Sequence, residues 1–358
     1  MPEWLDSKLA ALNRLEGYAG TGEKPDAGII RLDHNENWHV SAEEIREVVA
    51  EALSQLDIRR YPEEGFGELL GLVGSRFGVP RESLVLTSGA DQGIDLLCQA
   101  FLKGGETAYI VTPTFSFYAL RASLAGSRVK ELEMNGDLTL PLKKVDELGE
   151  GGLLFICSPN NPTGNQFARS EILHAVESFK GLVVLDEAYA DFAPYDLIRE
   201  APKRRNLVVL RTFSKAFGMA GLRLGCMVTN PALARQFNTK IQYPYPISSF
   251  SLAVASRILG NPELTRRGVE STIAQRKRLT EELRKLGEVR VLESQANFVL
   301  ASTPLKSEVL RKKLLEKQVA VKSIGDTLGL SGCVRITVGT KPMNDKLLKA
   351  MEGALGVA

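Results

Sequence analysis

Leu182-Val183-Val184-Leu185-Asp186-Glu187-Ala188-Tyr189 is the stretch whose reading decides the fold class. Its four leading apolar residues show no polar alternation and are too few for a helix, so they read as a strand covered on both faces. The same texture returns at Leu84 to Thr87, Tyr109 to Val111, Leu153 to Cys157 and Leu207 to Leu210, with amphipathic segments such as Ile94 to Leu102 between. This alternation predicts an α/β chain whose central sheet is parallel or mostly parallel, with helices on both faces. Upstream, Ser41 and Glu44 form a capping-box signature, and Ile45, Val48, Val49, Ala52, Leu53 and Leu56 follow at helical spacing. Beyond about Pro262 a long charged amphipathic stretch runs to near Leu286. After it, strand-like Val289 to Leu292, Phe298 to Ala301 and Val334 to Val338 interleave with helical Lys306 to Glu316 and Asn344 to Leu355. That half predicts a smaller α+β domain.

The 358 residues suit about two domains, and 44% hydrophobic with 25% charged residues excludes extensive disorder. Lys plus Arg number 45 against 43 Asp plus Glu, a balance that points away from nucleic acid and membrane surfaces, so Lys203-Arg204-Arg205 and Arg311-Lys312-Lys313 read as solvated faces. The four cysteines, Cys98, Cys157, Cys226 and Cys333, are far apart with no C-x-x-C pair, which suits a reducing compartment. No basic start with an apolar run and no membrane-length apolar stretch occurs, so a cytoplasmic protein is expected. A phosphate-binding P-loop, G-x-G-x-x-G, H-E-x-x-H and G-x-S-x-G are all missing, and His34, His39 and His174 are the only histidines, so no metal chemistry is expected.

Polar residues gather just past the carboxyl ends of the apolar strands, where open α/β sheets collect ligands. Thr87-Ser88-Gly89-Ala90-Asp91 opens a helix whose free N–H groups suit a phosphate, although a turn and cap has the same composition. Cys157-Ser158-Pro159-Asn160-Asn161-Pro162-Thr163-Gly164 is a proline-stiffened loop in which Asn161 can offer an amide. Asp186 ends a buried strand and needs a partner or a capping role; Tyr189 offers a phenol or a core hydroxyl. In Thr212-Phe213-Ser214-Lys215-Ala216-Phe217-Gly218-Met219, aromatic neighbours desolvate Lys215, lowering its pKa toward a neutral amine able to form a Schiff base. Arg223, with Thr212 and Ser214, offers charge and hydroxyls to a phosphate.

A protected lysine amine, a buried aspartate, an asparagine, a tyrosine and a phosphate cradle are what pyridoxal 5′-phosphate requires. Together with Asn35-Glu36-Asn37, Arg60-Tyr61-Pro62, Pro113-Thr114-Phe115 and Arg335-Ile336-Thr337-Val338-Gly339-Thr340, these motifs make the chain resemble fold-type-I aminotransferases, most closely the histidinol-phosphate aminotransferase family, from about Arg31 to Gly339. The resemblance implies a large cofactor-binding domain at residues 40–260 and a small domain formed by 1–39 and 261–358. It implies that Lys215 binds the cofactor aldehyde and moves the substrate proton, that Asp186 pairs with the pyridine nitrogen, and that Asn161 and Tyr189 bond the ring oxygen O3′. Phe115 would stack on the ring. Gly89, Ala90, Asp91, Thr212, Ser214 and Arg223 would hold the phosphate, with Tyr61 reaching it from the second subunit of a homodimer. Arg335 would take a substrate or acceptor carboxylate with its planar fork, and Tyr18 and Asn35 would lie over the substrate.

Departures from the family pattern lie on the substrate side. Asn37 is followed by Trp38-His39 where the family has proline, and His34 replaces a smaller residue. The turn before the second helix reads Thr-Ser-Gly-Ala-Asp-Gln in place of Gly-Asn-Gly-Ser-Asp-Glu. Lys322 stands where the family has an arginine for the substrate phosphate. The expected reaction is amino transfer from L-histidinol phosphate to 2-oxoglutarate in histidine biosynthesis. The alternatives are an aminotransferase for aromatic or other amino acids and, on the same scaffold, a threonine-phosphate decarboxylase.

Overall fold

The computed structural model describes residues 3–15, 17, 28–63 and 65–356. Twelve strands are described: β1 (Ile30–Leu32), β2 (Leu84–Thr87), β3 (Thr107–Thr112), β4 (Arg128–Glu133), β5 (Leu153–Cys157), β6 (Leu182–Asp186), β7 (Leu207–Thr212), β8 (Gly225–Val228), β9 (Arg290–Val291), β10 (Phe298–Ser302), β11 (Val319–Thr327) and β12 (Leu330–Thr337). Seven form one sheet in the order β2-β8-β7-β6-β5-β3-β4. It is parallel except for β8, which runs antiparallel to both β2 and β7. The apolar runs are the central strands because both of their faces are buried. Val183, Leu185, Leu207 and Val209 enter the core on one side, and Leu182, Val184, Val208 and Leu210 enter the core on the other.

The second sheet has the order β1-β11-β12-β10-β9, with β1 parallel to β11 and the rest antiparallel. Period-two alternation assigns its faces. Val299, Ala301, Val319, Val321, Val334 and Ile336 pack under helices Pro262–Arg284, Ser307–Glu316 and Lys341–Leu355. Phe298, Arg335 and Thr337 take the opposite face, and Phe298 joins the core of the larger sheet. Lys322 pairs directly with Arg335 across β11 and β12, so their side chains lie side by side on that face.

Half of the expected capping box forms at helix Ala42–Ser54. Ser41 Oγ accepts from the Glu44 N–H at 3.2 Å, whereas the Glu44 carboxylate pairs with Arg267 at 2.6 Å, pinning this helix to Pro262–Arg284. Among the described residues, no helix is long and apolar enough to cross a membrane, and all four cysteines are buried free thiols.

Candidate active site

The carboxyl ends of β2, β5, β6 and β7 converge on one side of the large sheet. Asp186, the last residue of β6, is buried; its Oδ2 accepts from the Tyr118 hydroxyl at 2.6 Å and its Oδ1 from the Ala188 N–H at 2.9 Å. Burial pushes its pKa up, opposed by those two donors, so a cationic partner at this carboxyl would favour its charged form. Tyr118 comes from helix Phe117–Leu124 and is fixed by a stack on Phe155, with centroids 5.0 Å apart. Phe115 meets Tyr118 edge-on at 5.6 Å. Glu187 accepts from the Leu197 N–H at 2.6 Å and pairs with buried Arg211, whose guanidinium lies 4.6 Å from the Phe77 ring centroid. That buried ion pair backs the turn after β6.

Past β7, Phe213 and Phe217 are buried with centroids 4.8 Å apart and anchor the turn that presents Lys215. The Lys215 ammonium donates to the carbonyl of His34 at 2.9 Å and lies 5.9 Å from the Tyr189 ring centroid. Burial, then the charge of Arg335, brings its pKa down to about 8.

An anion cradle lies beside it. Arg223, in the left-handed region at φ 51°, donates to Ser214 Oγ at 3.2 Å and to Asp91 Oδ2 at 3.0 Å. Gly89 has φ 76°, and a Cβ there would fall 2.7 Å from the Arg223 guanidinium; one at Gly225 would fall 2.7 Å from the backbone nitrogen of Ala90. Only glycine at both positions lets the 13-residue helix Gly89–Phe101 bring its N-terminus against β8 and Arg223. Thr212 Oγ1 accepts from the Ser214 N–H at 3.2 Å, and β8 pairs Gly225 with both Thr87 and Thr212.

From the smaller sheet, Arg335 donates to Asn161 Oδ1 at 2.7 Å and to the Asp33 carbonyl at 2.6 Å. Asn160 rivets the loop instead, donating to the Pro113 carbonyl at 2.8 Å and accepting from Thr114 Oγ1 at 2.8 Å. Asn35 is 1% exposed and donates from Nδ2 to the Tyr189 hydroxyl at 3.0 Å, so its amide is turned to the phenol. Tyr61 is 74% exposed and stacked on Tyr245 at 4.6 Å. Tyr18 lies outside the described residues. Lys215, Tyr189, Asn35, Arg335 and Asn161 thus form one connected group, and Ser214, Arg223, Gly89 and Asp91 form another that begins one residue away. Tyr118, Asn160, Gly225 and the carbonyls of Asp33 and His34 take part without having been singled out in the sequence. Tyr118 had a signal in the requirement that a buried Asp186 be partnered.

Residues 27–351 match the family described as aminotransferase class I and II. The chain is 34% identical over 326 residues to the histidinol-phosphate aminotransferase of Ruminiclostridium cellulolyticum, covering 89% of this chain and 90% of that one. Its backbone follows the crystal structure of histidinol-phosphate aminotransferase from Sinorhizobium meliloti in complex with pyridoxal-5′-phosphate, with a TM-score of 0.86 over 97% of this chain and 96% of that one. At 20% identity this is a likeness of fold. An L-threonine-O-3-phosphate decarboxylase from Porphyromonas gingivalis shares the fold with a TM-score of 0.79 at 25% identity, covering 92% of this chain and all of that one, so fold alone does not separate lyase from transferase. At 34% identity over about nine-tenths of both chains, with the family match over residues 27–351, the chain belongs to the histidinol-phosphate aminotransferase family within the class I and II aminotransferases.

Proposed function

We propose that the chain is a pyridoxal 5′-phosphate-dependent aminotransferase that carries the amino group of L-histidinol phosphate to 2-oxoglutarate, as a cytoplasmic homodimer in histidine biosynthesis. The residues present fit this cofactor. An aldehyde calls for an accessible neutral amine, a pyridine nitrogen for an anion, and a phosphate for N–H donors and a guanidinium. The space that a Cβ at Gly89 or Gly225 would fill lies at the last of these. Bound there, the cofactor supplies an aldehyde that captures amines and a ring that accepts the electron pair left when a proton departs from the amine-bearing carbon.

What carries the reading is Lys215, a partly buried amine brought down to about pKa 8, bonded to the His34 carbonyl in the same segment whose Asp33 carbonyl takes Arg335 and whose Asn35 amide takes Tyr189. Lys215 Nζ would hold the cofactor at its aldehyde and would serve as the base for the proton on the donor's amine-bearing carbon. Asp186 holds its negative charge at the pyridine nitrogen, oriented by Tyr118. Asn161 and Tyr189 orient the O3′ side, with Phe115 against the ring. Gly89, Ala90, Asp91, Thr212, Ser214 and Arg223 bind the phosphate, and Tyr61 completes that site from the second subunit. Histidinol phosphate has no carboxylate, so the fork of Arg335 serves the 2-oxo acid. Lys322, alongside it on the same face, binds the donor's phosphate. Residues 40–260 act as the cofactor-binding domain, and 1–39 with 261–358 as the domain that brings Arg335, Lys322 and Asn35 to it.

Borohydride reduction of the holoenzyme followed by peptide mapping tests the assignment. The pyridoxyl group is expected on Lys215; its recovery on another lysine would refute it.

A further inference from the structure

The segment Asp33-His34-Asn35 touches three site residues in succession. The Asp33 carbonyl takes Arg335, the His34 carbonyl takes Lys215, and the Asn35 amide takes Tyr189. Asn35 turns the chain there at φ 55°, a left-handed conformation that asparagine tolerates better than most non-glycine residues. Its polar groups are committed inside the protein. Its N–H donates to Thr337 Oγ1 at 2.9 Å, its carbonyl accepts from Asn297 Nδ2 at 3.0 Å, and its Oδ1 accepts from the Thr337 hydroxyl at 3.2 Å.

The Thr337 hydroxyl accepts from the Asn35 N–H and donates its own proton to Oδ1, an arrangement that leaves Nδ2 as the end of the amide facing Tyr189. Nδ2 therefore donates to the phenol oxygen at 3.0 Å. With that oxygen accepting from Asn35, the phenol proton must point elsewhere.

Resting on the cofactor reading above, we propose that Asn35 is a positioning residue. Locked by Thr337 and Asn297, its amide aims the Tyr189 proton at the cofactor's O3′ and so sets the proton affinity of the bound cofactor. The expected substrate contact of Asn35 gives way to this role, because its backbone N–H, its carbonyl and its amide oxygen are used in holding the turn.

The test is a pH titration of the visible absorption band of the holoenzyme. A hydrogen bond to O3′ stabilises its negative charge most when the neighbouring Schiff-base nitrogen is unprotonated, so weakening that bond raises the titration midpoint. Asn35→Gly keeps the left-handed backbone and removes the amide. It should raise the midpoint by about 0.5 to 1 unit, the equivalent of one ordinary hydrogen bond. In a Tyr189→Phe background the same substitution should add nothing. Thr337→Val, which unlocks the amide and leaves Asn35 in place, should shift the midpoint in the same direction and offers a second route should Asn35→Gly fold poorly. An unchanged midpoint, or an equal shift with and without the Tyr189 hydroxyl, would overturn the inference alone. A wild-type protein that shows no cofactor band would overturn the cofactor reading, and the inference with it.

Discussion

Reconstitution of the cofactor-free protein with pyridoxal phosphate, followed by absorbance from pH 6 to 10, reads the protonation of Lys215, since only a neutral amine attacks an aldehyde. An ordinary lysine titrates at 10.5, whereas burial and then the charge of Arg335 bring Lys215 down to about 8. At pH 7 that difference raises the neutral fraction from about 0.03% to about 9%, roughly 300-fold. The rate should therefore climb about tenfold per pH unit at low pH and level off near pH 8. Arg335→Gln removes the like charge and keeps a polar side chain within reach of Asn161. Losing a neighbouring cation favours the ammonium, so the midpoint should move up by about one unit, staying below 10.5 because burial, the larger cause, remains. A wild-type rate still rising tenfold per unit at pH 10, or an Arg335→Gln midpoint below that of wild type, would refute the reasoning.

Tyr118→Phe keeps the stack on Phe155 and deletes the 2.6 Å bond to Asp186. A hydrogen bond to a charged group is worth about 1.5 to 3 kcal/mol, so the dissociation constant for pyridoxal phosphate should rise about 10- to 100-fold; an unchanged constant would leave the hydroxyl no part in orienting the carboxylate. Lys322→Ala should lower kcat/KM for histidinol phosphate by about 10- to 100-fold and barely affect histidinol, and equal losses for both donors would remove Lys322 from phosphate recognition.

The central strands were legible because strands buried on both faces leave unbroken apolar runs, and β5 and β2 begin and end where those runs do. The strands that sequence reading passed over carry no such run. β4 is an edge strand, Arg128-Val129-Lys130-Glu131-Leu132-Glu133, with most side chains in water. β1 has three residues, and β8 lies in a glycine-containing stretch that reads as part of the Lys215 turn. β11 alternates under Lys322, Ser323 and Asp326. Within the site, Lys215, Asp186 and Asn161 stood out by type and by position at or just past strand ends, and Arg335, inside β12, by the motif it opens. What acts through backbone did not: the carbonyls of Asp33 and His34 leave no mark in a sequence. Tyr118, among Phe117, Ala119 and Leu120, carries no such mark: helix Phe117–Leu124 lies against β3 and β4, and the stack of Tyr118 on Phe155 of β5 holds its hydroxyl at Asp186. Asn35 shows the same limit: its residue type was visible, but its direction depends on Thr337 and Asn297, which are 302 and 262 residues away in the chain.

The central claim is amino transfer from histidinol phosphate, and the donor half-reaction tests it most directly. Wild-type holoenzyme without acceptor would be mixed in turn with histidinol phosphate, histidinol, phenylalanine, tyrosine, aspartate and O-phosphothreonine, and the loss of the cofactor's aldehyde absorbance followed in a single turnover. Histidinol phosphate should give the fastest complete conversion, and 2-oxoglutarate should then restore the original spectrum. A faster conversion by an unphosphorylated aromatic donor, or carbon dioxide release from O-phosphothreonine, would contradict the account.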